Sequence, residues 1–230
     1  MIILNIDTAT ENASICISKE GVPIGTKVNG EQKDHAAWIQ VAISELLKEA
    51  ALTMQELQAI AVTEGPGSYT GLRVGMATAK GLCYALQIPL ITISTLKAMA
   101  YGAKTQLLPL NAKHNQPVLL CPMIDARRME VFTAVYDETL NEIVPPNALI
   151  LDAFSFTKTL HDEWLVCFGN GARKWENISR YPNVLFINEK TDIAKSLAKL
   201  ATDLYLAGIF ADLAYAEPVY IKEFYSYTKK

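Results

Sequence analysis

The sequence predicts an α/β protein in which buried strands alternate with amphipathic helices. Three apolar segments at 2–6, 13–18 and 22–28, separated by polar turns, predict a meander of three strands. Residues 39–50 then repeat apolar side chains at helical spacing, and the apolar run 57–62 reads as a further strand. A strand, a helix and a strand in this order predict a right-handed crossover that adds a parallel strand to the meander.

Composition sets the size and class of the protein. At 230 residues and 50% hydrophobic, the chain can bury one large core or two small ones. Its net charge of -3, with Lys and Arg spread along the chain, argues against an extended nucleic-acid surface, while a small local RNA contact stays open. No apolar run reaches the ~20 residues that cross a bilayer, and Asp7 comes too early for a signal peptide. We therefore expect a cytoplasmic protein that does not span a membrane.

The cysteines indicate a reduced protein. Cys16, Cys83, Cys121 and Cys167 are isolated from one another and lie in apolar contexts. Paired spacings would be expected of a disulfide framework or a zinc site. We predict four reduced core residues.

The stretch 64–75 is the most distinctive part of the chain. It joins the strand that ends near residue 62 to a helical pattern that runs to about residue 86. Gly65 and Gly67 flank Pro66 and predict a tight turn, because glycine accepts positive φ while proline fixes φ. The turn matches neither a Walker loop nor a GxGxxG fingerprint.

Two interpretations of this turn stay open. Either Ser68 or Thr70 caps the helix, and its first free N–H groups bind an anion beside Arg73, or the turn is a structural corner. Residues of the first polar hairpin belong to the same candidate site. The candidate anion or nucleotide contacts are Asp7, Thr8, Thr10, Gly65, Gly67, Ser68, Thr70 and Arg73.

Catalytic patterns are scarce. The three histidines, His35, His114 and His161, have no partner at metal-ligand spacing, so we predict surface or packing roles for them. Ser68 does not lie in a GxSxG elbow. Four acidic residues that follow predicted strands could converge as a carboxylate cluster: Asp7, Glu11, Glu64 and Asp125.

The second half of the chain is predicted in less detail. Ser94 and Thr95 cap a helix, and the polar segment 104–116 reads as an irregular connection between subdomains. The prolines in 141–152 predict a loop, and 154–164 reads as a helix. A last helix begins at Thr191 or Asp192 and ends near Gly208.

Five segments together closely resemble the bacterial TsaB family, also called YeaZ. They are IDTAT at 6–10, EGPGSYTGLRVG at 64–75, ISTL at 93–96, IDAR at 124–127 and EPVY at 217–220. The match spans the chain and is strongest before about residue 136.

This resemblance implies an actin-like ATPase fold of the ASKHA, ribonuclease H-like class. Such a fold has two subdomains, each a mixed sheet flanked by helices. We place them at 1–104 and 105–230, with the C-terminal helix able to pack back on the first.

The resemblance also implies a function in tRNA modification. The family takes part in forming N6-threonylcarbamoyladenosine (t6A) at position 37 of tRNAs that read ANN codons. Within that pathway it is the partner of the catalytic paralogue TsaD, together with the ATPase TsaE. We therefore expect a non-catalytic activating subunit without a cofactor, whose contact with tRNA is at most indirect or weak and which forms a homodimer when isolated.

In the family, two helices, here at about 35–50 and 71–86, pack against those of the paralogue. We predict that the interface residues are those of their apolar and small-residue stripes: Ile39, Ile43, Leu46, Leu47, Gly71, Leu72, Gly75, Met76, Ala79 and Leu82.

Two departures from related patterns bear on activity. TsaD-type relatives carry a metal-binding HxxxH, and those two positions here are Thr95 and Met99. Actin-like ATPases hold phosphate at the first hairpin with the help of a glycine, and none stands between Asp7 and Thr10, which puts nucleotide binding there in doubt. Two alternatives remain. One is a stand-alone ASKHA enzyme, either a glycoprotease-like metallopeptidase or a phosphotransferase. The other is a self-associating module with a different partner.

Overall fold

The computed structural model describes residues 1–30, 35–114, 117–157, 159, 163–187 and 192–222. Within them the chain forms two five-stranded sheets. The strands are β1 (Ile2–Asp7), β2 (Ala13–Lys19), β3 (Val22–Asn29), β4 (Ala59–Gly65), β5 (Leu90–Ser94), β6 (Val118–Asp125), β7 (Glu130–Tyr136), β8 (Glu142–Ile150), β9 (Trp164–Phe168) and β10 (Val184–Ile187). The helices are α1 (His35–Glu49), α2 (Tyr69–Leu86), α3 (Thr95–His114), α4 (Ala172–Glu176) and α5 (Ile193–Leu206).

The first sheet confirms the predicted meander and the parallel addition of the next strand. Its order is β3-β2-β1-β4-β5. β1, β2 and β3 are antiparallel neighbours, whereas β4 is parallel to β1 and β5 is parallel to β4. Helix α1 forms the connection that a parallel pair requires.

The second sheet repeats this arrangement. Its order is β10-β9-β6-β7-β8, in which β6, β7 and β8 are antiparallel neighbours while β9 and β10 add in parallel. A meander followed by parallel strands therefore occurs twice in the chain. Two mixed sheets flanked by helices confirm the predicted fold class.

Alternate residues of β1 face two different cores, because side chains of a strand alternate between its faces. Leu4 and Ile6 lie in the core covered by α1 and α2. Ile3 lies in the other core, where α3 and α5 pack and where Leu120 of the second sheet also takes part. Asp7 is two residues beyond Asn5 and therefore ends β1 on the side of Ile3, between the two sheets.

Helix α5 closes this second core from the C-terminal side. Its N-cap is Asp192, whose side chain accepts a hydrogen bond from the Lys195 N–H. It packs on β1 and β2, and the Ala194 N–H donates to Ser14 Oγ at 3.3 Å. The predicted division at residues 104 and 105 falls inside α3, which contacts strands of both sheets, and it stays a prediction.

Two loop predictions were wrong. The segment 141–152 contains β8, an edge strand paired with β7. Pro145 and Pro146 lie where the register of that pair shifts, so no regular ladder requires an N–H from either proline. The connection predicted at 104–116 is helical as far as His114, because α3 continues from a buried first half through good helix formers such as Lys104 and Gln106.

The helix predicted at 154–164 was also wrong. Residues 153–157 form turns, and Trp164 opens β9, where it pairs with Val118 of β6. Strand pairing overrides the local preference for helix there. Residues 158 and 160–162 of that prediction lie outside the described part of the chain.

The structure describes the cysteines and two of the three histidines. All four cysteines are free and buried. His35 is buried in α1, His114 ends α3, and His161 lies outside the described residues. No described helix is both long and apolar enough to cross a bilayer.

Candidate functional site

The start of α2 is covered by the hairpin that joins β1 to β2. The Ser68 N–H donates to the Ala9 carbonyl at 2.7 Å, and Thr8 Oγ1 donates to the Gly71 carbonyl at 2.7 Å. Ser68 caps the helix, since its Oγ accepts from the Gly71 N–H at 3.3 Å. The free N–H groups that an anion would require are therefore used, at least in part, within the chain.

Small residues make this contact fit. A Cβ at Gly67 would lie 2.2 Å from the Ala9 carbonyl oxygen, and one at Gly71 would lie 2.0 Å from that of Thr8. At Gly75 the nearest atom would be Thr8 Oγ1 at 2.3 Å. These glycines allow the hairpin backbone to rest on α2, which favours the structural interpretation of the motif.

Gly65 makes room for the C-terminal segment. Its φ is +127°, and a Cβ on it would lie 2.5 Å from the Val219 carbonyl oxygen. The Val219 N–H donates to the Glu64 carbonyl at 2.7 Å. The segment 217–220 therefore packs against the end of β4, and this contact explains why glycine stands at position 65.

Arg73 belongs to the same C-terminal contact. Its Nε donates to Tyr220 Oη at 3.0 Å, and its guanidinium lies 4.1 Å from the centre of the Tyr69 ring. The hydrogen bond with Tyr220 raises the pKa of Arg73. The structure thus engages Arg73 with two tyrosines. Of the remaining candidates, Thr70 is exposed and Thr10 donates to the Asn12 carbonyl at 3.3 Å.

The predicted interface stripe points inward. Its residues lie in the chain's own core, apart from Leu82, which is half-buried. The buried members are Ile39, Ile43, Leu46, Leu47, Gly71, Leu72, Gly75, Met76 and Ala79. They pack against the first sheet, because the apolar stripe of an amphipathic helix normally faces the core of its own protein. A partner would meet the opposite faces of α1 and α2.

Those outer faces form one surface. Gln40 Nε2 of α1 donates to Thr78 Oγ1 of α2 at 3.4 Å, so the two helices lie side by side. Besides Gln40, which is exposed and polar, small or apolar side chains lie there, of which Val74 and Leu82 also pack against the core: Ala37, Val41, Val74, Ala77, Thr78, Gly81, Leu82 and Ala85. We call this set the outer α1–α2 face.

The α2 half of this face is uncharged, whereas α1 exposes Glu45, Lys48 and Glu49, of which the two glutamates form ion pairs with Lys27 of β3. The basic residues of α2 are Arg73, held by Tyr220, and Lys80, whose Nζ donates to the Ala216 carbonyl at 2.8 Å. Both point toward the C-terminal segment, away from α1. The α2 side of this face, with Ala77, Gly81 and Ala85, thus lacks the free charges that a solvent-facing helix surface normally carries.

A second candidate site is a cleft of about 430 Å³ between the two sheets. Acidic side chains from four places line it: Asp7, Glu11, Asp125 and Asp192. Three of the four predicted carboxylates thus line one cleft, whereas Glu64 is not among the lining residues. Asp192 takes the fourth place, although the sequence indicated only a helix cap for it.

Asp7 is fully buried at the base of this cleft. Its Oδ1 accepts from Thr63 Oγ1 at 2.7 Å and from the Ala9 N–H at 3.1 Å. Its Oδ2 is buried and has no hydrogen-bond partner among the described residues. Burial raises the pKa of Asp7 from its ordinary value of 3.8 to about 6, against these hydrogen bonds and with a smaller contribution from the charge of Asp192.

Known proteins resemble this chain over most of its length. The sequence profile of the family described as TsaD, tRNA N6-adenosine threonylcarbamoyltransferase, matches residues 28–223. A curated relative, the tRNA threonylcarbamoyladenosine biosynthesis protein TsaB of Escherichia coli K12, is 28% identical over 229 residues, which cover 96% of this chain and 95% of that protein. The chain belongs to the TsaB family.

Solved structures agree on the fold of this TsaB-family chain. YeaZ from Pseudomonas aeruginosa matches with a TM-score of 0.77 at 23% identity, over 95% of this chain and 99% of that one. An activator of 2-hydroxyisocaproyl-CoA dehydratase from Clostridium difficile, solved with bound ADPNP, matches with a TM-score of 0.52 at 9% identity, over 90% and 97%. The actin-like ATPase fold implied by the sequence is confirmed.

The metal site of TsaD-type relatives does not fit these residues. Thr95 opens α3 and is fully buried, and Met99 lies one turn later at the edge of the cleft. A hydroxyl and a thioether do not replace a pair of imidazoles as ligands of a hard or borderline metal. Across the described residues, no group of three or more His, Cys, Asp and Glu could hold a metal ion.

Parts of both sites were missed from the sequence. The outer α1–α2 face could have been found in the sequence, because apolar or small residues such as Val41 and Gly81 lie between the positions of the buried stripe. The contribution of Asp192 depends on α5 packing back on the first sheet, which local patterns do not reveal.

Proposed function

We propose that this protein is a non-catalytic subunit that supports TsaD in forming t6A at position 37 of tRNA. We place the contact with TsaD on the outer α1–α2 face. Membership of the TsaB family supports the pathway. The surface chemistry of α1 and α2 supports an interaction, and the absence of the histidine pair at Thr95 and Met99 supports a role other than metal-dependent catalysis.

One observation in particular supports this position of the interface. Gly81 lies at the surface of α2, and a Cβ added there would meet nothing within 4 Å. A glycine inside a helix costs about 1 kcal/mol relative to alanine. Unlike Gly71 and Gly75, Gly81 allows no close contact within the described chain. A partner helix that approaches closely would supply the missing contact, because the distance between packed helices depends on the side chains between them.

The neighbouring residues fit the same proposal. Val41 is 58% exposed on α1, and Ala77 and Ala85 are exposed on α2. Apolar residues that gather on one exposed surface are typical of protein–protein interfaces. Two helices from each partner would then form a four-helix contact.

The same face can pair with a second copy of the chain when TsaD is missing. Such a homodimer would compete with the TsaD complex, because both use one surface. TsaE would join as a further partner of the TsaD complex. Contact of this subunit with tRNA would be indirect, in keeping with its net charge of -3.

The interface is tested with two charge substitutions, Val41→Glu and Gly81→Arg. Each introduces a charge that a bound partner would bury without a counterion, at a cost of about 3 to 5 kcal/mol, which corresponds to more than about a hundredfold in Kd. We expect both variants to stay folded and to lose co-purification with TsaD. The isolated variants should also sediment as monomers.

Matched controls separate charge from position. Val22 is 63% exposed on the edge strand β3, so Val22→Glu adds the same charge elsewhere and should leave the complex intact. Gly81→Ala adds only a methyl group and should weaken binding far less than Gly81→Arg. Retention of TsaD by both Val41→Glu and Gly81→Arg would contradict the placement of the interface.

The role in the pathway is tested by reconstitution. tRNA modification is measured with TsaD and TsaE, with and without this chain, and with threonylcarbamoyl-adenylate supplied. We expect no t6A without the chain, and restoration by the natural chain and by Val22→Glu. Equal modification with and without the chain would refute the supporting role.

A further inference from the structure

The acidic cleft between the sheets has a chemical character that the proposed function does not use. Of its four carboxylates, Asp7 ends β1, Glu11 lies in the β1–β2 hairpin, Asp125 ends β6 and Asp192 caps α5. Arg173 is the one cationic residue among the described residues that line it. The cleft therefore attracts positive charge.

Two of the carboxylates are already compensated. Asp125 accepts a salt bridge from Lys174 at 2.6 Å, and Asp192 lies 3.5 Å from the ammonium of Lys195. Asp192 also caps α5. Within the described part of the chain, no cationic side chain forms an ion pair with Asp7 or Glu11. These two residues supply the uncompensated charge.

Asp7 provides an independent sign of a ligand. Its Oδ1 is fully used by Thr63 and Ala9, while Oδ2 is buried without a partner among the described residues. A buried acceptor without a donor is costly and calls for an explanation such as a bound group. Asp7 lines the cleft, so a donor held in the cleft can satisfy Oδ2.

A phosphate group is a poor candidate for that donor. It is an acceptor with negative charge, and it would face the carboxylates of Asp7 and Glu11. Two N–H donors that could offset this repulsion are already used, that of Ala9 by Asp7 Oδ1 and that of Ser68 by the Ala9 carbonyl. A cation with N–H donors has the right charge and the right hydrogen-bonding polarity.

A bare divalent metal ion is also a poor match. An ion such as Ca2+ or Zn2+ needs several ligands from the protein, and no group of three or more acidic, His or Cys residues that could hold one occurs in the described ranges. Hydrated Mg2+ needs fewer protein ligands and is therefore tested directly below. An ammonium group needs fewer acceptors. Apolar walls formed by Met99 and Ile193 leave room for an aliphatic segment beside the acidic base.

We propose that the cleft binds an aliphatic amine, whose ammonium group donates to Asp7 Oδ2 and whose carbon chain lies along Met99 and Ile193. Glu11, exposed at the rim, adds attraction at longer range. This site is separate from the outer α1–α2 face, and the inference does not depend on the proposed function.

Calorimetry of the full chain at low salt tests the proposal with three compounds of equal length. The probe is 1,5-diaminopentane, with pentane-1,5-diol as the uncharged match and glutarate as the negatively charged match. We expect binding of the diamine only, weakened by added salt. Binding of the diol as strongly as the diamine, or no binding of the diamine, would overturn the proposal.

Two variants test whether the diamine binds at Asp7 and Glu11. Asp7→Asn keeps an oxygen for Thr63 and Ala9 but removes the charge, and it should weaken diamine binding by at least about tenfold. The Glu11 side chain is exposed, so the Glu11→Gln variant should fold normally. It should weaken diamine binding by about threefold. Glu142→Gln on the edge strand β8 is the control and should bind normally.

Circular dichroism first confirms that each variant folds. If Asp7→Asn does not fold, the decision rests on Glu11→Gln against Glu142→Gln. Equal affinity of natural chain, Asp7→Asn and Glu11→Gln would overturn the site, as would tight binding of MgCl2 or Mg-ATP that excludes the diamine. Neither result would affect the TsaD interface, which is measured with different variants.

Discussion

Asp7 offers a direct test of the energetics at the base of the cleft. The perturbation is Asp7→Asn, which removes a titratable group and keeps its size. Burial holds the pKa of Asp7 at about 6 in the folded chain, compared with 3.8 for an exposed aspartate. The folded chain therefore binds this proton more tightly than the unfolded chain does.

This difference in pKa sets the sign and the size of the change in the free energy of unfolding with pH. Below about pH 4 the group is protonated in both states and has no effect. Between about pH 4 and pH 6 the unfolded chain releases the proton first, so the free energy of unfolding falls as pH rises. Above pH 6 the full effect, about 3 kcal/mol, is present. The Asp7→Asn variant lacks this loss, so its stability relative to the natural chain should rise by about 3 kcal/mol from pH 4 to pH 8.

Urea unfolding at intervals from pH 4 to pH 8 measures the effect. The new amide group adds a buried donor that costs about 1 to 3 kcal/mol at every pH, which shifts the variant's curve without changing the pH-dependent difference. Asp137→Asn is the control. Burial alone would raise the pKa of Asp137, but hydrogen bonds from Thr139 and Asn141 outweigh it and lower that pKa to about 2. The Asp137→Asn difference should therefore stay flat above pH 5. Parallel curves for the natural chain and Asp7→Asn would refute the reasoning.

Three further predictions concern the packing around α2. Gly71→Ala places a Cβ 2.0 Å from the Thr8 carbonyl oxygen and should lower the free energy of unfolding by more than about 2 kcal/mol in urea titrations, whereas Gly81→Ala, with open space around it, should raise it by about 0.5 to 1 kcal/mol. An equal effect of the two would contradict the hairpin contact. Ser68→Ala removes the helix cap and should cost about 1 kcal/mol in the same assay; no change would show that the cap is not used. Tyr220→Phe removes the hydrogen bond from Arg73 and should speed limited proteolysis of the C-terminal segment without changing the thermal midpoint of the core, and unchanged proteolysis would count against that contact.

The first half of the fold could be predicted because its signals are local. The alternation in β1 and β2, the helical period of α1 and the glycine turn before α2 each occur within a few residues. The second half depends on pairing between distant segments. β8 forms although it contains two prolines, because β7 supplies an edge and the register shift accommodates them. Such a partner cannot be seen from within residues 142–150.

The candidate sites show the same limit in a different form. The apolar stripes of α1 and α2 were visible in the sequence, but a stripe does not reveal which surface it meets. The stripes pack against the first sheet. The surface that remains for a partner is formed by Val41, Ala77, Gly81 and similar residues between the stripe positions. In the same way Asp7 was visible, whereas its neighbour Asp192 reaches the cleft only through the return of α5.

The position of the glycines links the two sites. In an actin-like phosphate site a glycine in the hairpin allows backbone N–H groups to approach the ligand. Here the hairpin has Thr8, Ala9 and Thr10, and the glycines stand opposite, Gly67 in the turn before α2 and Gly71 in its first turn, where they admit the carbonyl oxygens of Ala9 and Thr8. Ala9 then accepts the Ser68 N–H, so this hairpin contact uses a donor that a phosphate would need. What faces the cleft is the carboxylate of Asp7, which selects for a cation, and what faces outward on α2 is a surface of small residues whose two cations, Arg73 and Lys80, bind the C-terminal segment.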